Sequence, residues 1–207
     1  EKNSLKIHRY PFEDQYINMV LSAGPDYQGF VADLAVLIGR QTKVAGVIFD
    51  MPKKISEAPG SLVLAASAPA CEEKIGELFD LVVYRHNTFK KAAEKGIPCE
   101  EFEPRLFVIN SLNSLRSILS EKANQKLSLI LEKGSVQYKL HIILGEQSKN
   151  IASAAYEKWY KAQVSAADGI WIGSGITDQY QMKAAKTTPG MHEAISTEFG
   201  YSLIKGR

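Results

Sequence analysis

Between an apolar run and a helical repeat, the chain carries Gly24-Pro-Asp-Tyr-Gln-Gly29, two glycines separated by four residues. This is the frame of a phosphate-binding loop, in which successive backbone N–H groups cradle phosphate, a lysine reaches the terminal phosphates and a Ser/Thr hydroxyl holds magnesium. The residues that follow are Phe30 and Val31, which supply neither the cation nor the oxygen. Pro25 removes one backbone donor, and Asp26 puts a negative charge where phosphate would sit. At about 4 Å and an effective dielectric near 20, such a like-charge contact costs on the order of 4 kcal/mol before salt screening. Tyr27 and Gln28 complete the frame without adding a positive charge. The positive end of the following helix still favours an anion. An ordinary strand–turn–helix would use the same glycines for the turn alone.

The elements that must position this stretch alternate. Tyr16 to Ala23 is short and apolar enough for a buried strand, and Phe30, Leu34, Leu37 and Ile38 repeat at helical spacing. Further strands are expected at Val44–Asp50, Ser61–Ser67, Arg105–Ser111, Leu140–Gly145, Gly169–Gly173 and Tyr201–Lys205. Helices are expected over Glu72–Lys95, ended by Gly96-Ile-Pro98, over Leu112–Lys133, closed by Gly134, and over Ile151–Val164. Strands alternating with helices of this length specify an α/β fold, a mostly parallel sheet covered by helices on both faces.

Composition narrows the function classes. At 207 residues, 45% hydrophobic and 23% charged, the chain suits one sizeable globular domain. A formal charge of +2 is too small to argue for a nucleic-acid surface. No apolar run approaches the roughly 18 residues that cross a bilayer, so any membrane attachment is expected through parts outside this sequence. The abrupt start at Glu1 and the stop at Gly206-Arg207 after a strand-like run suggest a domain excised from a larger protein. Cys71 and Cys99 have no close partner, and His8, His86, His141 and His192 show no ligand spacing, so no metal site is expected.

The ordered series of segments then resembles a known family. In P-loop ATPases a second motif is an apolar strand ending in Asp-Glu, which orders magnesium and activates water. Here Leu106-Phe107-Val108-Ile109 is followed by Asn110-Ser111. Gly134-Ser-Val-Gln-Tyr-Lys-Leu-His141-Ile-Ile-Leu-Gly-Glu-Gln147 resembles the block in FtsK/SpoIIIE-type motor ATPases where a glycine-led turn precedes an Ile/Leu-His strand ending in Gln. Asp168-Gly-Ile-Trp-Ile-Gly-Ser-Gly-Ile-Thr-Asp178 and Phe199-Gly-Tyr-Ser-Leu-Ile-Lys-Gly206 resemble that family's terminal strands. Together these cover about residues 5 to 207, and within the family the terminal segments look most like the C-terminal module of type VII secretion motors of Gram-positive bacteria.

The resemblance implies a P-loop, RecA/FtsK-like architecture over residues 1–207 and a module at the cytoplasmic face of the bacterial membrane, the last of several in tandem. It further implies WXG100-type secreted substrates and neighbouring ATPase modules as partners, with a homo-hexameric ring in the full assembly. The vestigial nucleotide site would comprise Gly24, Pro25, Asp26, Tyr27, Gln28, Gly29, Phe30 and Val31 from the first motif, Asn110 and Ser111 from the second, and Gln147. No catalytic residue is assigned and no cofactor is expected, with ATP binding at most weakly. Two readings stay open: a catalytically silent module acting in substrate recognition or regulation of export, and a weak nucleotide-binding or nucleotide-hydrolysing motor domain.

Individual residues carry paired readings. Asn110 suits a phosphate-bound water or the cap of the following helix. Gln147 lies at the C-terminal end of a strand, where open α/β sheets bind ligands, and also reads as a solvated loop residue. Arg85, Arg105 and Arg116 are candidate arginine fingers or packing residues. Tyr156, Trp159 and Tyr160, at i, i+3 and i+4, form an aromatic face for the core or for a partner helix.

Overall fold

The computed structural model describes residues 10–207; His8 and the opening of the expected 1–207 domain lie outside the described residues. Among the described residues seven strands form one sheet: β1 (Ile17–Ser22), β2 (Ala45–Asp50), β3 (Leu62–Ala65), β4 (Arg105–Asn110), β5 (Leu140–Gln147), β6 (Gly169–Ile172) and β7 (Gly200–Leu203). Their order is β3-β2-β4-β5-β1-β6-β7, parallel throughout except for the antiparallel β6–β7 pair at one edge. This is the expected α/β architecture, with β5 interposed between β1 and β4.

Burial of both sheet faces explains why the central strands read as continuous apolar runs. In β1, Ile17, Met19 and Leu21 enter one core and Val20 the other. In β4 and β5, Phe107, Ile109, Ile142 and Leu144 face the first core, while Leu106, Val108 and Ile143 face the second. Helix α1 (Tyr27–Gln41) covers the second face through Tyr27, Val31, Ala32 and Ala35. The first face is covered by α2 (Ala68–Lys95), α3 (Leu112–Ile118), α4 (Glu121–Lys133), α5 (Ser148–Ala154) and α6 (Lys158–Gln163).

Helix α2 begins four residues before the expected Glu72, at Ala68, with Pro69 in its first turn. It ends at Gly96, whose φ of 63° lets its N–H reach the Ala92 and Ala93 carbonyls. Two expected helices are each broken in two. Leu112–Lys133 is interrupted because the Ser120 hydroxyl caps a new helix at Ala123 N–H, while the Asn124 amide donates to the orphaned carbonyls of Arg116 and Leu119. Ile151–Val164 instead starts at Ser148, directly after β5, and breaks after Ala154. There the Glu157 carboxylate accepts from Arg116 and from Trp159 Nε1, which fixes the chain at the start of α6. No helix among the described residues is long and apolar enough to cross a membrane.

Candidate functional site

Strand register brings the sequence motifs to one edge of the sheet. Asp50 pairs with Asn110, Asn110 with Gly145, and Ser22 with Gln147, all at the C-terminal ends of parallel strands. This is the ligand crevice of open α/β folds. Gly24, Pro25 and Asp26 form the turn into it from β1.

The frame expected to be a loop is half helix. Tyr27, Gln28 and Gly29 already belong to α1, leaving three residues between Ser22-Ala23 and the helix. Ser22 sets this geometry: its hydroxyl donates to Gly24 O at 2.7 Å and accepts from Tyr27 N–H at 3.1 Å. Gln28 N–H donates to Pro25 O at 3.0 Å. Two of the N–H groups that would point at an anion are therefore engaged by the turn itself. Asp26 is exposed at the N-cap position, with no side-chain bond to the helix.

Tyr27 packs under α1 against the C-terminal end of β5. Its side chain is buried, and a Cβ placed on Gly145 would stand 2.7 Å from its ring and 2.8 Å from Val31 Cγ2. Gly145 is thus the position where β5 lets the ring and Val31 pack against its backbone. Phe30 is half-buried against the same core. The Tyr27 hydroxyl donates to Glu146 Oε1 at 3.4 Å, and burial raises its pKa above the ordinary phenol value.

Asn110 is fully buried and acts as a brace. Its Nδ2 donates to Gln28 O and to Asp50 Oδ1, each at 3.1 Å, joining the end of β4 to α1 and β2. It does not cap α3; that task falls to Ser111, whose Oγ accepts from Ser114 N–H at 3.3 Å with a left-handed φ of 77°. Gln147 is partly buried at the start of α5, its N–H donating to Glu146 Oε1 at 2.8 Å.

Three crevice residues escaped the sequence reading: Ser22, Asp50 and Glu146. Asp50 Oδ2 accepts from Ile55 N–H at 2.7 Å, fastening the following loop. Glu146, 2% exposed, accepts from Asn113 N–H, Gln147 N–H, Asn150 Nδ2 and Tyr27 Oη. The available signal was that Ile48-Phe49-Asp50 and Leu144-Gly145-Glu146 both end a buried strand on a carboxylate, at the edge where such sheets bind ligands. Among the described residues no group of three or more His, Cys, Asp or Glu side chains could hold a metal ion.

The candidate arginine fingers lie elsewhere. Arg85 is buried, donating to the Tyr138 and Glu103 carbonyls and stacking over Phe102 at 4.9 Å. Arg105 begins β4, at the opposite end of the sheet from the crevice. Arg116 forms a bidentate pair with Glu157 at 2.6 and 2.8 Å. The expected aromatic face also divides: Trp159 is buried, Tyr160 half-buried, and Tyr156 is 83% exposed in the break between α5 and α6.

Sheet order and the two helical layers define the class: a mostly parallel α/β fold of the kind found in ATPase domains. Among solved structures the fold is similar to the cytoplasmic domain of EssC, with a TM-score of 0.76 over 95% of this chain and 39% of that one, at 10% identity. EssC (ATPases 2 and 3) from Geobacillus thermodenitrificans gives a TM-score of 0.68 over 95% of this chain and 36% of that one, at 10% identity. EccC (ATPases 2 and 3) from Thermomonospora curvata, solved in complex with a signal sequence peptide, gives 0.58 over 92% and 35%, at 15% identity. The chain therefore spans less than two-fifths of the length of each of these structures. No family model and no curated protein matches the sequence.

Proposed function

We propose that this chain is a nucleotide-silent module of a type VII secretion motor, working at the cytoplasmic face of the membrane by contact with export substrates and with neighbouring ATPase modules. The observation that carries this reading is the Tyr27 ring, seated against Gly145 where β1, β4 and β5 end. Magnesium triphosphate does not fit these residues. Phe30 and Val31 stand in place of the phosphate lysine and the metal hydroxyl, the first helical N–H groups are bonded to Ser22 and Pro25, and Asn110 is bonded to Gln28. Positioning and electrostatic stabilisation supply nearly all of phosphoryl-transfer catalysis, so losing both removes turnover. The likeness to EssC and EccC supports the motor assignment, and the signal sequence peptide bound to an EccC relative supports substrate contact as the retained task.

Two measurements on the purified chain test the reading. Magnesium-dependent ATPase assays should stay at background, and calorimetric titration with a WXG100-type substrate pair should give saturable heat. ATP turnover that disappears on replacing Gly24 or Gly29 would replace this reading with a weak motor domain. Absence of substrate binding, with the rest of the motor also supplied, would leave only a regulatory role.

A further inference from the structure

Strand β7 is an edge of the sheet, paired on one side with β6 and open on the other. Gly173 N–H donates to Phe199 O at 2.9 Å, which fixes the phase of this antiparallel ladder: Tyr201 and Leu203 turn their backbone groups towards β6. The N–H and C=O of Gly200 and Ser202 therefore point outwards. Both residues are exposed, and none of the four groups is hydrogen-bonded within the described residues. Unpaired edges of this kind are templates for another strand, and proteins commonly blunt them with proline or charge. Gly-Tyr-Ser-Leu has neither.

A cleft of about 910 Å³ lies along this edge, with residues 184–186 and Met191 as its other wall. That wall is anchored beside β7 and not on it: Lys183 N–H donates to Ala166 O at 2.6 Å, and Ala185 N–H to Gly206 O at 2.7 Å. Charge decides what the cleft would accept. Lys186 and Arg207 line it, both exposed and neither ion-paired among the described residues, and no Asp or Glu does. A second copy added across the same edge would bring these cations against their own equivalents, whereas an acidic strand meets them with opposite charge.

We propose that β7 takes up an extended acidic peptide as an added strand, its backbone bonded to Gly200 and Ser202 and its carboxylates set against Lys186 and Arg207. The proposal concerns this edge alone and does not rest on the secretion reading.

The probe is acetyl-Val-Glu-Val-Asp-Val-Glu-amide, with two controls: its fully N-methylated counterpart, which lacks the backbone donors, and a counterpart with lysine at each acidic position. Amide resonances and hydrogen exchange of the labelled 207-residue chain are read at low ionic strength. The acidic peptide should shift Gly200, Tyr201 and Ser202 saturably and slow exchange at Gly200 and Ser202. Both controls should bind at least about tenfold more weakly, the worth of more than one hydrogen bond. Lys186→Ala should weaken the acidic peptide about two- to fivefold, the worth of an exposed ion pair. Ser202→Pro removes an outward N–H without costing a ladder bond, so the spectrum of the folded protein should persist while binding is lost. Shifts absent at millimolar peptide, equal binding of either control, or undiminished binding to folded Ser202→Pro would each overturn the proposal. So would protection of Gly200 and Ser202 that grows with protein concentration in the absence of peptide, which would assign the edge to a second copy. The two control peptides decide the matter even if the proline variant does not fold.

Discussion

Asn110 Nδ2 stands 3.1 Å from the Gln28 carbonyl oxygen, so the end of β4 is bonded directly to the first turn of α1. The same nitrogen is 3.1 Å from Asp50 Oδ1, and its two hydrogens serve these two acceptors. Asn110→Asp, which puts a carboxylate at the end of this apolar strand, removes both donors. It also brings a second carboxylate beside Asp50. The variant should lose about 2–4 kcal/mol of stability at neutral pH and gain no ATPase activity. Urea denaturation, paired with a phosphate-release assay, checks both halves.

Gly145→Ala tests the placement of Tyr27. The added methyl would stand 2.7 Å from the ring and 2.8 Å from Val31, well inside van der Waals contact. Overpacking of this kind costs about 1–3 kcal/mol. In a Tyr27→Ala background the same change should cost less, because the principal obstacle is gone. A coupling energy of about 0.5 kcal/mol or more from denaturation of the four proteins is the expected result. Equal cost in both backgrounds would place the ring elsewhere.

The layers of the fold were legible because both cores draw on alternate residues of unbroken apolar strands, of which Leu106 to Ile109 is representative. Helix interruptions were not, because they depend on side chains far apart in sequence: Asn124 reaching back to Arg116, and Arg116 reaching forward to Glu157. The motif frame at Gly24–Gly29 was visible, yet spacing cannot tell a loop from a helix that starts three residues early. That difference rests on the Ser22 hydroxyl, which the frame does not include. Glu146 was passed over for its neighbour Gln147. Only the fold shows that its carboxylate gathers donors from α3, α5 and Tyr27.

The two thiols should behave differently. Cys71 is fully buried under β3, its thiol directed to Ala65 O at 3.7 Å, and burial pushes its pKa up to about 11. Thiolate is the reactive form, so near pH 8 Cys71 is both inaccessible and protonated. Cys99 is only partly buried. Ellman's reagent should titrate one thiol in the native chain and two in guanidinium, and Cys99→Ser should leave none reactive without denaturant.

The Arg116–Glu157 pair should make part of the protein's stability pH-dependent. The hydrogen-bonded Arg116 guanidinium holds the Glu157 carboxyl below its ordinary range. A carboxyl with a depressed folded pKa binds fewer protons in the native than in the unfolded state. Its stabilisation is therefore present above the unfolded value of about 4.3 and is lost as pH falls through the folded value. Both side chains are partly in water, 24% and 35% exposed, so solvent screening holds the charge contribution to about 1 kcal/mol. Arg116→Met keeps the stem that lies near Trp159 and removes the charge. The variant should be less stable than the parent by about this amount at pH 7, with the gap closing below pH 4. A gap that stays constant down to pH 3 would mean that the arginine acts through packing alone. Because Glu157 also accepts from Trp159 Nε1, the indole fluorescence of the variant should shift even where its stability does not.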